Sequence, residues 1–127
     1  MAKFGQLFLQ DGVWAGEQVV SREWVAESTA PRLTVFGDVR YGYHWWFIGL
    51  GSYDVPLASG YGGQRIHIVP ELDLVIVTSA DYSDRDSVSE HETLIYRLVE
   101  YWILPAVTPT SSVAGAMSQP AGTPARF

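Results

Sequence analysis

Apolar residues alternate with period two over residues 65–69 and run almost unbroken over residues 74–79, with Pro70-Glu71-Leu72-Asp73 between them. Alternation is the mark of a strand, whose side chains point to opposite faces in turn. Ile66 and Ile68 are therefore expected on one face, and Arg65, His67 and Val69 on the other. Proline presets the backbone for a tight turn, so the two strands form a hairpin. The returning strand is apolar on both faces, which predicts a central strand covered on both sides.

The rest of the chain is read the same way. Phe4, Leu7 and Phe8 fall at helical spacing and Asp11-Gly12 ends the run, so a short helix opens the chain. No capping residue precedes it, and Met1 is expected to be an internal methionine of a longer gene. Residues 13–20 form a turn or hairpin. Ser21 caps a second helix over residues 22–28, Glu23 favours the positive end of its dipole, and Pro31 closes it. Residues 32–40 are expected as loop, 41–48 as an aromatic strand and 49–56 as a second loop.

Ser89 and Glu92 have capping-box spacing. After them Leu94, Leu98 and Trp102, with Ile95, Val99 and Ile103, form one broad apolar stripe that should pack on the sheet. This helix should stop near Leu104, before Pro105. Residues 105–127, rich in Ser, Thr, Pro, Ala and Gly, read as a disordered tail. The fold class is α+β: an antiparallel sheet packed by N- and C-terminal helices, with residues 1–104 as the folded part.

Composition narrows the function. With 127 residues and five tryptophans the chain can build a real core. A formal charge of −6 argues against nucleic acid and anionic membrane surfaces as partners. No apolar run is long enough to span a bilayer. The first residues lack the features of a signal peptide, so the compartment stays open. Zero cysteines exclude disulfides and thiolate zinc sites.

Metal and triad chemistry find no pattern. His91-Glu92 begins like a zincin helix, but Ile95 stands where the second histidine belongs. His67 reads as a polar-face or loop-facing residue, and His44 as a hydrogen-bonded packing histidine, so no metal site is expected. Asp81, Asp84 and Asp86 form an acidic loop expected to serve solvation before a helix, with calcium as the alternative, though EF-hand spacing is lacking. No Gly-x-Ser-x-Gly elbow exists, since Leu57 precedes Ser59 where glycine is wanted.

The stretch Leu57-Ala58-Ser59-Gly60-Tyr61-Gly62-Gly63-Gln64, the following Val69-Pro70-Glu71-Leu72-Asp73-Leu74, and the earlier Tyr41-Gly42-Tyr43-His44-Trp45-Trp46 carry a resemblance. Over residues 1–104 the chain resembles the C-terminal segment of a serine hydrolase of the class C β-lactamase and penicillin-binding-protein-like family, which includes β-lactamase-related esterases and 6-aminohexanoate-dimer hydrolases. The resemblance implies a partial β-lactamase/transpeptidase-like fold and acyl transfer to water through an acyl-enzyme, without a cofactor. It also places the opening helix inside the domain of a longer protein.

By resemblance, Ala58-Ser59-Gly60 holds the place of the family's Lys-Thr-Gly or His-x-Gly, and the Tyr61 amide would help hold the oxyanion. Ala58 supplies no positive charge for a β-lactam carboxylate, which favours neutral esters or amides. On their own, the glycines read first as a tight turn or bulge beside a strand. Tyr43, Trp45 and Trp46 are candidates for the substrate cleft. On a strand Trp45 and Trp46 point to opposite faces, so one can line a cleft while the other packs in the core.

The nucleophilic machinery is absent. The only lysine is Lys3, there is no asparagine, and none of the seven tyrosines has serine two positions on. Neither Ser-x-x-Lys nor Tyr-x-Asn (or Tyr-x-Ser) can therefore be written here, and without them a serine hydroxyl is a poor nucleophile. Two readings follow. The chain is the C-terminal part of a hydrolase, inactive alone and taking an ester or amide only with the missing N-terminal part. Alternatively it is a non-catalytic, stand-alone binding or remnant module. Either way, an apolar sheet edge left open predicts self-association.

Overall fold

The computed structural model describes residues 1–80 and 88–107. Among them, helix α1 (Ala2–Leu9) leads into a small hairpin of β1 (Val13–Trp14) and β2 (Glu17–Gln18), then α2 (Arg22–Ser28). The main sheet follows: β3 (Leu33–Phe36), β4 (Val39–Tyr41), β5 (Trp46–Leu50), β6 (Tyr53–Ser59), β7 (Arg65–Val69) and β8 (Leu74–Thr78). Its six strands are antiparallel and lie side by side in chain order. Helix α3 (Val88–Leu98) continues through a π-helical stretch (Val99–Ile103) into a last turn, α4 (Leu104–Val107). The architecture is α+β, as expected.

The register sorts the sheet into two faces. Ala58, Ile66 and Val77 are cross-strand neighbours on one; Leu57, His67 and Ile76 are neighbours on the other. The first face packs on α1 through Trp45, Phe47, Ile66 and Ile68, with Phe8 and Leu9 from the helix. The second packs on the C-terminal helix through Leu50, Val55, Val69 and Ile76, with Val99 and Leu104. The alternation of residues 65–69 thus divides between two cores as read from the sequence.

Gly5 explains how closely α1 approaches. A Cβ there would lie 2.5 Å from Val75 Cγ1 and 2.7 Å from Ile66 Cγ2. Glycine in a helix costs roughly 1 kcal/mol relative to alanine, and here it leaves room for two β-branched side chains. Helix α2 starts as expected, with the Trp24 N–H donating to Ser21 Oγ at 3.2 Å.

Five expectations change. Residues 32–40 are not loop: they form the β3–β4 hairpin, turned at Gly37 with φ +51°. Residues 41–48 are not one strand. The chain breaks between Tyr41 and Trp46, where Gly42 N–H donates to the Trp45 carbonyl at 2.8 Å and His44 sits exposed at φ +66°. His44 is therefore a loop residue rather than a packing one.

Residues 49–56 are not loop either. Gly51, at φ +60°, turns β5 into β6, and Tyr53, Val55 and Leu57 alternate onto the face covered by α3. Strand β8 is not central: among the described residues it forms one edge of the sheet. Lastly, the final helix runs past Pro105. The Leu104 N–H bonds to the Val99 carbonyl five residues back. The wider π turn relieves the clash that proline otherwise makes with the preceding turn.

The helical stripe is also narrower in contact than in sequence. Val99 and Leu104 are buried, whereas Leu94, Leu98 and Trp102 stay exposed. The helix presents more apolar surface than the sheet face covers. The acidic loop (Asp81, Asp84, Asp86) and residues 108–127 of the expected tail lie outside the described residues, while residues 105–107 are helical.

Candidate functional site

Strand β6 ends at Ser59, and Gly60 N–H donates to the Gln64 carbonyl at 2.8 Å to close the glycine turn. Gly62 and Gly63 take φ +91° and +78°, a region that favours glycine. Thr78 Oγ1 donates to the Gly63 carbonyl at 2.7 Å and ties the turn to β8. The turn reading of these glycines therefore holds. Tyr61 stands at its tip, 70 % exposed.

The aromatic candidates separate. Trp45 is buried under α1, its ring 5.0 Å from Phe8 and 6.2 Å from Phe4. Trp46 lies on the opposite face, edge-on to Tyr41 at 4.7 Å. Tyr43 stacks on Trp24 at 5.6 Å, with the Arg32 guanidinium 4.7 Å from its ring. Opposite facing of Trp45 and Trp46 is as read from the sequence, but the three rings do not line one cleft.

Trp46 and Ser59 do meet. Both line a hollow of about 220 Å³ between the β3–β7 sheet face and α3. Its polar side is built on Arg65, which is only 2 % exposed. Arg65 Nη2 pairs with Glu92 at 3.2 Å, Nε makes a long 3.5 Å contact to Ser59 Oγ, and the guanidinium lies 4.3 Å from the Tyr96 ring. Nη1 is buried with no hydrogen-bond partner among the described residues. Burial pushes the Tyr96 phenol pKa up; the Arg65 charge opposes the shift and Glu92 adds to it.

Sequence reasoning missed Arg65, Glu92 and Tyr96 as a group. The signal was an arginine opening an otherwise apolar hairpin, facing the same way as His67 and Val69. Glu92 was expected to cap its own helix, and in the fold its carboxylate reaches Arg65. Ser89, the other half of that capping box, falls outside the described side chains.

His67 corrects another expectation. It is neither loop-facing nor on a polar face, but fully buried between Leu57 and Ile76. Its ring nitrogens have no hydrogen-bond partner of normal geometry among the described residues. Burial lowers its pKa to about 4; a backbone group of Ile76 acts against the shift, and the Arg65 charge adds to it. The ring is thus a neutral core group near pH 7.

A second hollow, about 430 Å³, opens on the other sheet face around Thr34, Gly49 and Ser52. Arg40 and Asp54 pair within it and neutralise each other. Among the described residues no three acidic or histidine side chains group to hold a metal ion, and no helix is long and apolar enough to cross a membrane.

No protein-family model matches the chain, and no curated protein matches it.

Proposed function

We propose that this chain is the C-terminal segment of a serine hydrolase of the class C β-lactamase and penicillin-binding-protein-like family, with a partial β-lactamase/transpeptidase-like fold. The reaction is hydrolysis of a neutral ester or amide through an acyl-enzyme. The N-terminal part supplies the acylated serine, its lysine and its tyrosine. This chain supplies the sheet, the Ser59-Gly60-Tyr61 segment with the Tyr61 amide for the oxyanion, and an aromatic wall from Trp46, which shares a hollow with Ser59.

Strand β8 carries the reading. Its apolar residues pack on both sheet faces, Ile76 toward the C-terminal helix and Val75 and Val77 toward α1, and β7 alone pairs with its backbone among the described residues, leaving one edge open. An apolar edge strand offers unpaired backbone groups to any further strand. In the family the strands of this segment continue into a larger antiparallel sheet that includes an N-terminal strand. The absence of Ser-x-x-Lys and Tyr-x-Asn, and the glycine turn closing β6, agree with a divided machine.

Two results are expected of the purified chain. A fluorophosphonate probe, which labels activated serines, leaves it unlabelled; clean labelling of any serine would show a complete nucleophile and overturn the assignment. Sedimentation shows self-association that grows with concentration, driven by the β8 edge and the exposed Leu94, Leu98 and Trp102. A compact monomer across a wide concentration range would remove the argument from the edge.

A further inference from the structure

Among the described residues, the ionisable side chains that the fold buries lie on one side of the sheet. The buried polar and charged residues are Ser28, Arg65 and His67. Ser28 belongs to α2, where its hydroxyl donates to the Val25 carbonyl at 3.2 Å. Arg65 and His67 stand two residues apart on β7, on the face covered by the C-terminal helix. The core under α1 is built from Trp45, Phe47, Ile66 and Ile68. A change of pH therefore reaches one core and not the other.

His67 lies between Leu57 of β6 and Ile76 of β8, and between Arg65 and Val69 along its own strand. Among the described residues the charged or titratable groups on this face are Arg65 on β7, Tyr53 on β6, and Glu92, Tyr96 and Glu100 on the helix. Strand β8 adds none, and His91 sits further round the helix, beside Ala80, Leu94 and Ile95. Both carboxylates are engaged: Glu92 pairs with Arg65 at 3.2 Å, and Glu100 accepts from the Gly51 N–H at 3.3 Å. An imidazolium here meets the Arg65 cation out of water, with no counter-charge of its own, which is costly.

The helix can leave without breaking the sheet. The strand ladders run from β3 to β8, and the helix pairs with no strand. It is the last described element, and it docks through Val99 and Leu104 in the core and through Glu92 and Glu100 at its two polar ties. The core it closes is separate from the core under α1. Cooperative units of this kind open on their own where their contacts are self-contained. Once the helix is away, His67 reaches water and takes a proton, so acid favours the released state.

We propose that acid frees the C-terminal helix from the sheet as a unit, uncovering Leu50, Val55, Val69 and Ile76 while α1 keeps its own core closed. The device works through His67 and is independent of the acyl-transfer reading.

Hydrogen–deuterium exchange of the whole chain tests it, read by mass spectrometry at low protein concentration and corrected for the intrinsic pH dependence of amide exchange. From pH 7.5 to pH 5.5 the opening constant of residues 92–104 rises about tenfold, as a free imidazole outcompetes one held at a pKa of about 4 for protons. Opening of α1 and of β7 changes less than about threefold. In His67→Leu, which removes the titrating group and keeps an apolar side chain, the rise over the helix is lost. The wild-type profile is a test even if that variant does not fold. Equal rises over α1 and the helix would show the domain opening as one and overturn the proposal. No rise over the helix, or an undiminished rise in His67→Leu, would overturn it too.

Discussion

Replacing Glu92 by alanine lowers the unfolding free energy by about 3 kcal/mol, the low end for breaking a buried ion pair. Glu92 Oε1 accepts from Arg65 Nη2, and the Arg65 side chain is 2 % exposed against 37 % for Glu92. Truncating the partly wetted partner therefore strands the dry one. The guanidinium keeps only the Tyr96 ring and a long contact to Ser59. Removing both charges is different. Arg65→Met with Glu92→Leu recovers most of the loss, because apolar groups need no desolvated partner. Urea unfolding of the three chains checks this. A loss below about 0.5 kcal/mol for Glu92→Ala would mean that the pair behaves as a surface salt bridge.

Acid destabilises the fold through His67. The unfolded chain binds a proton near the ordinary imidazole pKa of 6.5, whereas the folded chain resists it down to about 4. Between those values the unfolded state holds more protons, so stability falls as pH falls. The contribution is complete above pH 6.5 and is lost progressively toward pH 4. At about 1.4 kcal/mol for each pKa unit, the loss is roughly 3 kcal/mol. In His67→Leu the difference between pH 7 and pH 4.5 shrinks by most of that amount. Urea midpoints for both chains at several pH values measure it. Equal pH slopes would show that His67 has a proton partner in the folded state.

The fold was legible where local and global demands agree. Ser21 before a helix and Pro70 in a turn satisfy their own backbones, and residues 65–69 alternate because two cores flank them. It was illegible where a strand lies exposed or carries residues that usually break strands. Leu33–Phe36 is solvent-facing throughout, so no alternation marks it. In Tyr53–Ser59 the period-two run of Tyr53, Val55 and Leu57 was present, but Pro56 and the glycines at 49 and 51 disguised it. Pro105 read as a stop because a π turn cannot be foreseen from residue type.

The candidate site was legible in part. The glycine turn and the opposed tryptophans follow from local rules. The Arg65–Glu92–Tyr96 group depends on how α3 docks over β7. That is set by the apolar faces of both elements, and spacing within either one does not show it.

The most direct measurement is to read the DNA immediately upstream of the Met1 codon. The account predicts an open frame that encodes Ser-x-x-Lys, then Tyr-x-Asn or Tyr-x-Ser, and a strand able to pair with β8. An in-frame stop codon directly upstream, with a start signal of its own, would contradict it. The chain would then be a stand-alone module, to be studied for binding rather than for catalysis.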